Sequence, residues 1–234
     1  MKSILKKMIP TRLLAARNSK KSFSQFGEDL IISATLSFLG KNKDCTYLDI
    51  GANHPYDLSN TYAFYEKGCG RGLLIEPDPL LYQNLVRARP RDQVLNVGIG
   101  FGSEVELAKF YVMSNRALNT FSKEEALRID AEGVYRIVDE YHVKLIPLNY
   151  LFANHLPKIP DFVSIDVEGL DFQILQSFDL NKYRPPIFCV ETLEFRMNRE
   201  GKKITKIIDL MLQNGYFVFA DTYLNTIFVD RSLF

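Results

Sequence analysis

The 234-residue sequence has only three cysteines, Cys45, Cys69 and Cys189, an odd number scattered without a CxxC pair. That spacing offers neither a disulfide framework nor a zinc site, and it fits a reducing compartment such as the cytoplasm. No apolar run approaches the ~18 residues that span a bilayer, so no transmembrane helix is expected. The first residues, MKSILKKMIPTRLLAARNSKK, also lack the apolar stretch of roughly 7–15 residues that marks a secretory signal. Acids are missing from positions 1–21, where seven Lys/Arg fall, leaving 22 basic against 28 acidic residues in the rest. A body carrying about −6 would repel nucleic acid unless it had a local basic face, because phosphate binding rests on clustered Lys/Arg, so nucleic acid is a poor first expectation. Internal repeats and low-complexity tracts are absent too, and the length suits one core, since single cores stop growing near roughly 250–300 residues.

Residues 1–23 read as a basic tail and 24–234 as one folded domain. In the tail, Ile4, Leu5, Met8 and Ile9 beside Lys2, Lys6 and Lys7 would suit weak contact with an anionic membrane surface, at the inner face for a cytoplasmic protein. Pro10 breaks that pattern after barely two turns, which favours a solvated end.

Beyond the tail, Asp29–Leu39 has helical spacing and stops at Gly40-Lys41-Asn42-Lys43. Five segments read as buried parallel strands: Thr46–Ile50, Gly72–Glu76, Gln93–Val97, Phe162–Asp166 and Ile187–Glu191. The room between them suits helices, giving an α/β fold of βαβ rhythm. Tyr216–Ala220 and Asn225–Val229, joined by four residues, read as a hairpin that completes the sheet antiparallel. An insert over about 101–160 carries a strand-like Val105–Met113 and a charged helical stretch, Lys123–Glu140, and would serve as lid or substrate wall.

Asp49, Glu76, Asn96, Asp166 and Glu191 stand at or beside the ends of the five strands. In an open α/β sheet the ligand crevice lies outside those ends, so polar groups gathered there are placed for chemistry. The alternative is that each caps the following helix. The sharpest signal is Leu48-Asp49-Ile50-Gly51-Ala52-Asn53-His54-Pro55, a strand running into a small-residue turn that is not GxGxxG. Gly51 permits positive φ or a close ligand approach, and Asp57–Thr61 would open a helix whose positive end suits an anion. Glu76 lies 27 residues beyond Asp49, where an acid can accept both hydroxyls of a ribose. Pro77-Asp78-Pro79 then stiffens the turn into a helix. The ligand is expected to contain a nucleoside.

The chain resembles the FkbM family of S-adenosylmethionine-dependent methyltransferases. The likeness rests on Ser24-Gln25-Phe26-Gly27-Glu28-Asp29, on DIGANHP at 49–55 and on Ser59-Asn60-Thr61. Ile75-Glu76-Pro77 and Ile165-Asp166-Val167-Glu168-Gly169 extend it, as do Tyr183-Arg184-Pro185-Pro186, Cys189-Val190-Glu191 and Asn214-Gly215-Tyr216. It runs from about Ser24 to Val229. The resemblance implies a class I, Rossmann-like methyltransferase fold: a seven-stranded, mostly parallel sheet with helices on both faces and an antiparallel last hairpin. It implies that Asp49, Gly51 and Asn53 line the cofactor, Glu76 holds its ribose, and Asn96 and Val97 flank its adenine. Ser59, Asn60 and Thr61 are candidates for the methionine carboxylate end.

A hydroxyl acceptor must lose its proton, and Asp166, Glu168 and His54 are the candidate bases. Each has a plainer use, in orienting substrate, bonding backbone or fixing its own loop. Asp166, Glu168 and Glu191 would alternatively hold Mg²⁺, which prefers carboxylate oxygens and lowers the pKa of a bound hydroxyl. His142 and His155 read as surface residues. Asn115–Phe121 sits where a lid would close, and either contacts the acceptor or packs the insert. The expected activity is O-methylation of a sugar, glycan or polyketide-type precursor. A nicotinamide-dependent oxidoreductase would use the same acid but lacks its GxGxxG, and a non-catalytic binding module would keep the fold without turnover.

Overall fold

The computed structural model describes residues 21–41, 44–194, 196 and 200–234. Apart from Lys21, Ser22 and Phe23, the basic tail and its membrane contact lie outside the described residues. In chain order come α1 (Glu28–Phe38), β1 (Tyr47–Ile50), α2 (Tyr62–Glu66), β2 (Leu73–Ile75), α3 (Pro79–Ala88) and β3 (Gln93–Leu95). Then follow β4 (Gly98–Gly100), β5 (Glu106–Met113), α4 (Lys123–Ala131), β6 (Ile137–Pro147) and α5 (Leu148–Asn154). The chain continues through β7 (Phe162–Ile165), α6 (Asp171–Ser177), β8 (Ile187–Glu191), α7 (Thr205–Gln213), β9 (Tyr216–Asp221) and β10 (Asn225–Asp230).

Seven strands make one sheet in the order β3-β2-β1-β7-β8-β10-β9. The first five are parallel, and β10 runs antiparallel to both β8 and β9. This is the seven-stranded sheet with an antiparallel final hairpin that the class I resemblance implies. Strand residues alternate between two cores. Leu48, Ile50, Val163, Ile165, Phe188 and Val190 face α5, α6 and α7. Tyr47, Phe162, Ile187 and Cys189 face Ile32 and Leu36 of α1, Phe64 of α2 and Leu85 of α3. With both faces covered, β1, β7 and β8 read as apolar runs, each fully buried large side chain contributing about 1.5–3 kcal/mol. No helix among the described residues is long and apolar enough to cross a membrane.

The same alternation sets the site. Asp49, Ser164, Asp166 and Glu191 each follow the period of the face that packs on α1 and α2, so their side chains share one side of the sheet. Register then aligns them: Ile50 pairs with Ile165 and Ile165 with Val190, which brings Gly51, Asp166 and Glu191 abreast.

Three local expectations need correction. The charged stretch 123–140 is not one helix: α4 stops at Ala131, and Gly133 at φ +86° turns the chain away. From Ile137 the chain pairs antiparallel with β5, and β4 joins the other edge of β6 to make a second, three-stranded sheet. Charge misleads here because exposed His142 and Lys144 alternate with buried Val143 and Leu145, the signature of a half-covered strand. The third strand ends at Leu95 rather than Val97. The helix expected to open within Asp57–Thr61 begins only at Tyr62 and lasts five residues, so its N-terminus carries little dipole.

Candidate active site

The strand ends open into a cavity of about 540 Å³. Asp49, Glu76, Ser164, Asp166 and Glu191 form its floor, and the loop 51–60 forms one wall. The insert supplies another through Phe110, Asn115–Asn119 and Phe121. Gln25 and Leu224 complete the rim.

Gly51 is required by its surroundings. Its φ is +84°, and a Cβ there would lie 1.8 Å from the Asp166 carbonyl oxygen. The close approach lets the turn after β1 pass the end of β7, while Gly51 and Ala52 donate their N–H groups to Ile75 O at 3.0 and 3.1 Å. Asn53, also left-handed at φ 48°, donates its N–H to Glu76 Oε2 at 2.8 Å. Glu76 Oε1 accepts from Asp78 N at 2.8 Å. One buried carboxylate thus ties the first turn to the second, with a lone pair left on each oxygen for a ligand. Burial, offset by these two N–H groups and reinforced by Asp78 and Asp49, pushes its pKa up to about 8.

Asp49 is held from behind. Its Oδ2 accepts from the Thr61 hydroxyl at 2.5 Å, and that hydroxyl accepts from Arg89 Nη1 at 2.9 Å. Arg89 is fully buried, paired with Asp92 at 2.8 Å and bonded to the Tyr47 hydroxyl at 3.2 Å. Burial raises the Asp49 pKa, while Thr61 and Arg89 pull it down. This network was not anticipated, and no local pattern around Arg89 announces it.

Ser59 and Asn60 face the cavity; Ser59 Oγ accepts from Tyr62 N at 3.1 Å, and Asn60 Nδ2 donates to Ser164 Oγ at 3.1 Å. Thr61 lies behind the wall, on Asp49. Asn96 and Val97 do not line the cavity. The Asn96 amide donates to the carbonyls of Glu76 and Pro77, both at 2.9 Å, Val97 packs on the core, and Gly98 and Ile99 reach the cavity instead.

Carboxylate oxygens of Asp166, Glu168 and Glu191 lie within 4.8 Å of one another. Burial and the charges of Asp171 and Asp49 push Asp166 up to about 7, and burial with the Asp166 charge raises Glu168 and Glu191 well above the carboxylate range. Glu168 takes φ 53° ahead of Gly169 at φ 99°, a strained turn whose Glu168 carbonyl accepts from the Thr120 hydroxyl at 2.8 Å. That bond docks the insert on the acidic turn. Arg116 and Asn119 dock it a second time, both on the Asp78 carboxylate, while Phe121 packs on Phe110. The block 115–121 therefore both packs the insert and lines the cavity. His54 lines the cavity with Nδ1 accepting from Asp57 N at 2.9 Å, which orients the ring. His142 is exposed and His155 half-buried, and neither reaches the cavity.

No curated protein matches the chain. Among solved structures it is similar to an FkbM methyltransferase from Methylobacillus flagellatus KT, at 14% identity and a TM-score of 0.45 over 80% of this chain and 43% of that one. The chain therefore spans less than half of that protein. It is also similar to a putative caffeoyl-CoA O-methyltransferase from Staphylococcus aureus, at 12% identity and a TM-score of 0.48 over 94% and 90% of the two chains. An O-methyltransferase from Bacillus cereus, solved with S-adenosylhomocysteine, is similar at 12% identity and a TM-score of 0.46 over 97% and 94%. Residues 49–218 match the methyltransferase FkbM domain, nearly three quarters of the chain, and the protein belongs to that family.

Proposed function

We propose that this protein transfers the methyl group of S-adenosylmethionine to a hydroxyl of a sugar, glycan or polyketide-type precursor. The observation that carries the reading is the row of acids along one crevice, Glu76, Asp49, Asp166 and Glu191, in a chain of a methyltransferase family. Glu76 offers its free lone pairs to the ribose hydroxyls, and Asp49, Gly51 and Asn53 lie along the cofactor between ribose and sulfur. Ser59 and Asn60 serve the methionine end, with Thr61 acting through Asp49. Asn96 orients Glu76 and Pro77, with Val97 as its packing neighbour, and Gly98 and Ile99 take the adenine side.

In the transfer, an acceptor oxygen attacks the methyl carbon as the carbon–sulfur bond breaks, and the hydroxyl proton must leave. Asp166 stands at the floor beside the strand-end turn and takes that proton, with Glu191 and Glu168 next to it; His54, on the loop, is the second choice. The cavity walls hold the oxygen in line with the methyl carbon and exclude water, which supplies much of the rate. Asp166, Glu168 and Glu191 also fit Mg²⁺, because three crowded carboxylates make the all-oxygen set a hard cation neutralises. There the ion would lower the pKa of a coordinated hydroxyl.

Calorimetry with S-adenosylhomocysteine, with NAD as control, tests the cofactor, and transfer of labelled methyl to a panel of sugars, nucleotide sugars and polyketide alcohols tests the acceptor. S-adenosylhomocysteine binding and labelled ether are expected, and loss of transfer in chelator, restored by Mg²⁺, would assign the metal. NAD binding in its place points to an oxidoreductase. Cofactor binding without transfer to any hydroxyl points to a binding module.

A further inference from the structure

The segment Ser22–Asp29 ends in two acids that are fully buried at the start of α1. Burying a carboxylate costs several kcal/mol unless hydrogen bonds replace its water. Here they do. Glu28 Oε1 accepts from the Thr222 hydroxyl at 2.6 Å and Asn225 Nδ2 at 3.1 Å, both from the β9–β10 hairpin, and Oε2 accepts from Phe26 N at 2.9 Å. Burial opposes the charge of Glu28, yet these bonds outweigh it and hold its pKa below the ordinary value. Asp29 gathers the other side: Oδ1 accepts from the hydroxyls of Ser22 and Ser24 at 2.6 and 3.0 Å, and Oδ2 from Phe23 N at 2.8 Å. The Phe23 ring then packs edge-on against Tyr62 of α2 at 4.7 Å. Gly27, at φ 90°, makes the tight turn between.

The segment is thus a brace fixed to α2 at one end and to the hairpin loop at the other. At its crest Gln25 is exposed and lines the cavity, and its carboxamide makes no hydrogen bond to any described residue. We infer that the brace exists to hold the Gln25 carboxamide against the amino-acid end of the bound cofactor, an inference that rests on the methyltransferase reading above.

The placement follows from the neighbours. Phe23 stands on Tyr62, directly after the Ser59–Thr61 wall, whereas Glu76 and the adenine side lie at the ends of β2 and β3, across β1 from the hairpin that holds the brace. The chemistry follows from the side chain. A carboxamide donates N–H to a carboxylate and offers C=O to an ammonium, so one neutral group serves both charges of a zwitterion without favouring either. A pre-fixed residue also spares the ordering cost of binding.

The test compares S-adenosylhomocysteine with 5′-methylthioadenosine, which keeps the nucleoside and sulfur but lacks the amino-acid end. Calorimetry on the full chain should show Gln25→Ala weakening S-adenosylhomocysteine about tenfold, as expected for a hydrogen bond to a charged group, with methylthioadenosine unchanged. Thr222→Val, which removes one clamp of the brace and no charge, should weaken the same ligand by a smaller factor, again with methylthioadenosine unchanged, and should lower the melting temperature because it takes a hydrogen bond from a buried carboxylate. If Gln25→Ala leaves both ligands unchanged, or weakens both equally, the inference fails while the methyltransferase reading stands. If the wild-type protein binds neither ligand, the functional reading fails and takes the inference with it.

Discussion

Glu76→Gln changes charge and hydrogen bonding with almost no change of volume, so its effects follow from the two bonds already described. Both oxygens of the native carboxylate accept a backbone N–H at 2.8 Å, from Asn53 and Asp78. Glutamine keeps one acceptor and turns a donor towards the other N–H, which loses its partner at a cost of about 1–3 kcal/mol of folding stability. Losing a charged acceptor for a ribose hydroxyl costs a further ~1.5–3 kcal/mol of binding, roughly 10–150-fold in Kd. Proton uptake gives a second readout. The Glu76 carboxyl, raised by burial, titrates at about 8 in the free protein. At pH 7 such a group is about nine-tenths protonated. Ribose hydroxyls favour the ionised form, so binding at pH 7 should release close to one proton. The sign for folding is opposite to that of a salt-bridged acid. The folded pKa exceeds the unfolded value of ~4.3, so this group's contribution is fully present at low pH and lost as pH rises through about 8, and bound cofactor recovers part of it. Calorimetry with S-adenosylhomocysteine at pH 7, in buffers of different ionisation enthalpy, reads the proton directly. The observed enthalpy should vary with buffer for wild type and not for the variant. A wild-type enthalpy independent of buffer, or a variant binding within about twofold of wild type, refutes the ribose assignment.

Three further outcomes follow from the same geometry. Gly51→Ala places a methyl group 1.8 Å from the Asp166 carbonyl oxygen at φ +84° and should cost on the order of 3 kcal/mol in urea unfolding; an unchanged midpoint would show that β1 and β7 do not meet there. Arg89→Met leaves Asp92 buried without its cation and should cost about 3–5 kcal/mol, while a loss below about 1 kcal/mol would contradict the buried network. Cys69 packs on the cluster that contains Cys45, whose hydrogen bond, helped by Lys67 and opposed by burial, brings the Cys69 thiol down to about 7. Its alkylation should be half-maximal near pH 7 and Cys189, buried and raised, should react only on unfolding; a Cys69 profile centred near ~8.5, that of a free thiol, would remove the contact.

The strand-end acids were legible because their signal is local. A parallel strand buried on both faces is an apolar run, and an acid at or beside its carboxyl end marks where the run meets the crevice. Asp49, Glu76, Asp166 and Glu191 all lie on the cavity floor by that rule. The insert was less legible because its strand β6 is only half covered at its start, where Asp139 and Glu140 are both exposed and imitate a solvated helix. The alternation from Tyr141 to Leu145, together with Gly133, held the better reading.

What local pattern cannot hold is pairing across the chain. Asn96 looks like the other strand-end residues, but β3 ends early and the Asn96 side chain turns back to the carbonyls of Glu76 and Pro77, leaving Gly98 and Ile99 to line the cavity. Thr61 sits in a motif that suggests ligand contact, but Arg89, 28 residues on, recruits it to hold Asp49. Ser24–Asp29 shows the limit most clearly. In sequence it is a polar stretch before a helix, and its acids would pass for favourable first-turn charges. The bonds from Thr222 and Asn225 to Glu28, across 194 and 197 residues, and the Phe23 ring on Tyr62 bend that stretch over the strand ends. An exposed glutamine between ordinary neighbours becomes part of the cavity because the last hairpin of the sheet reaches back to anchor the first helix.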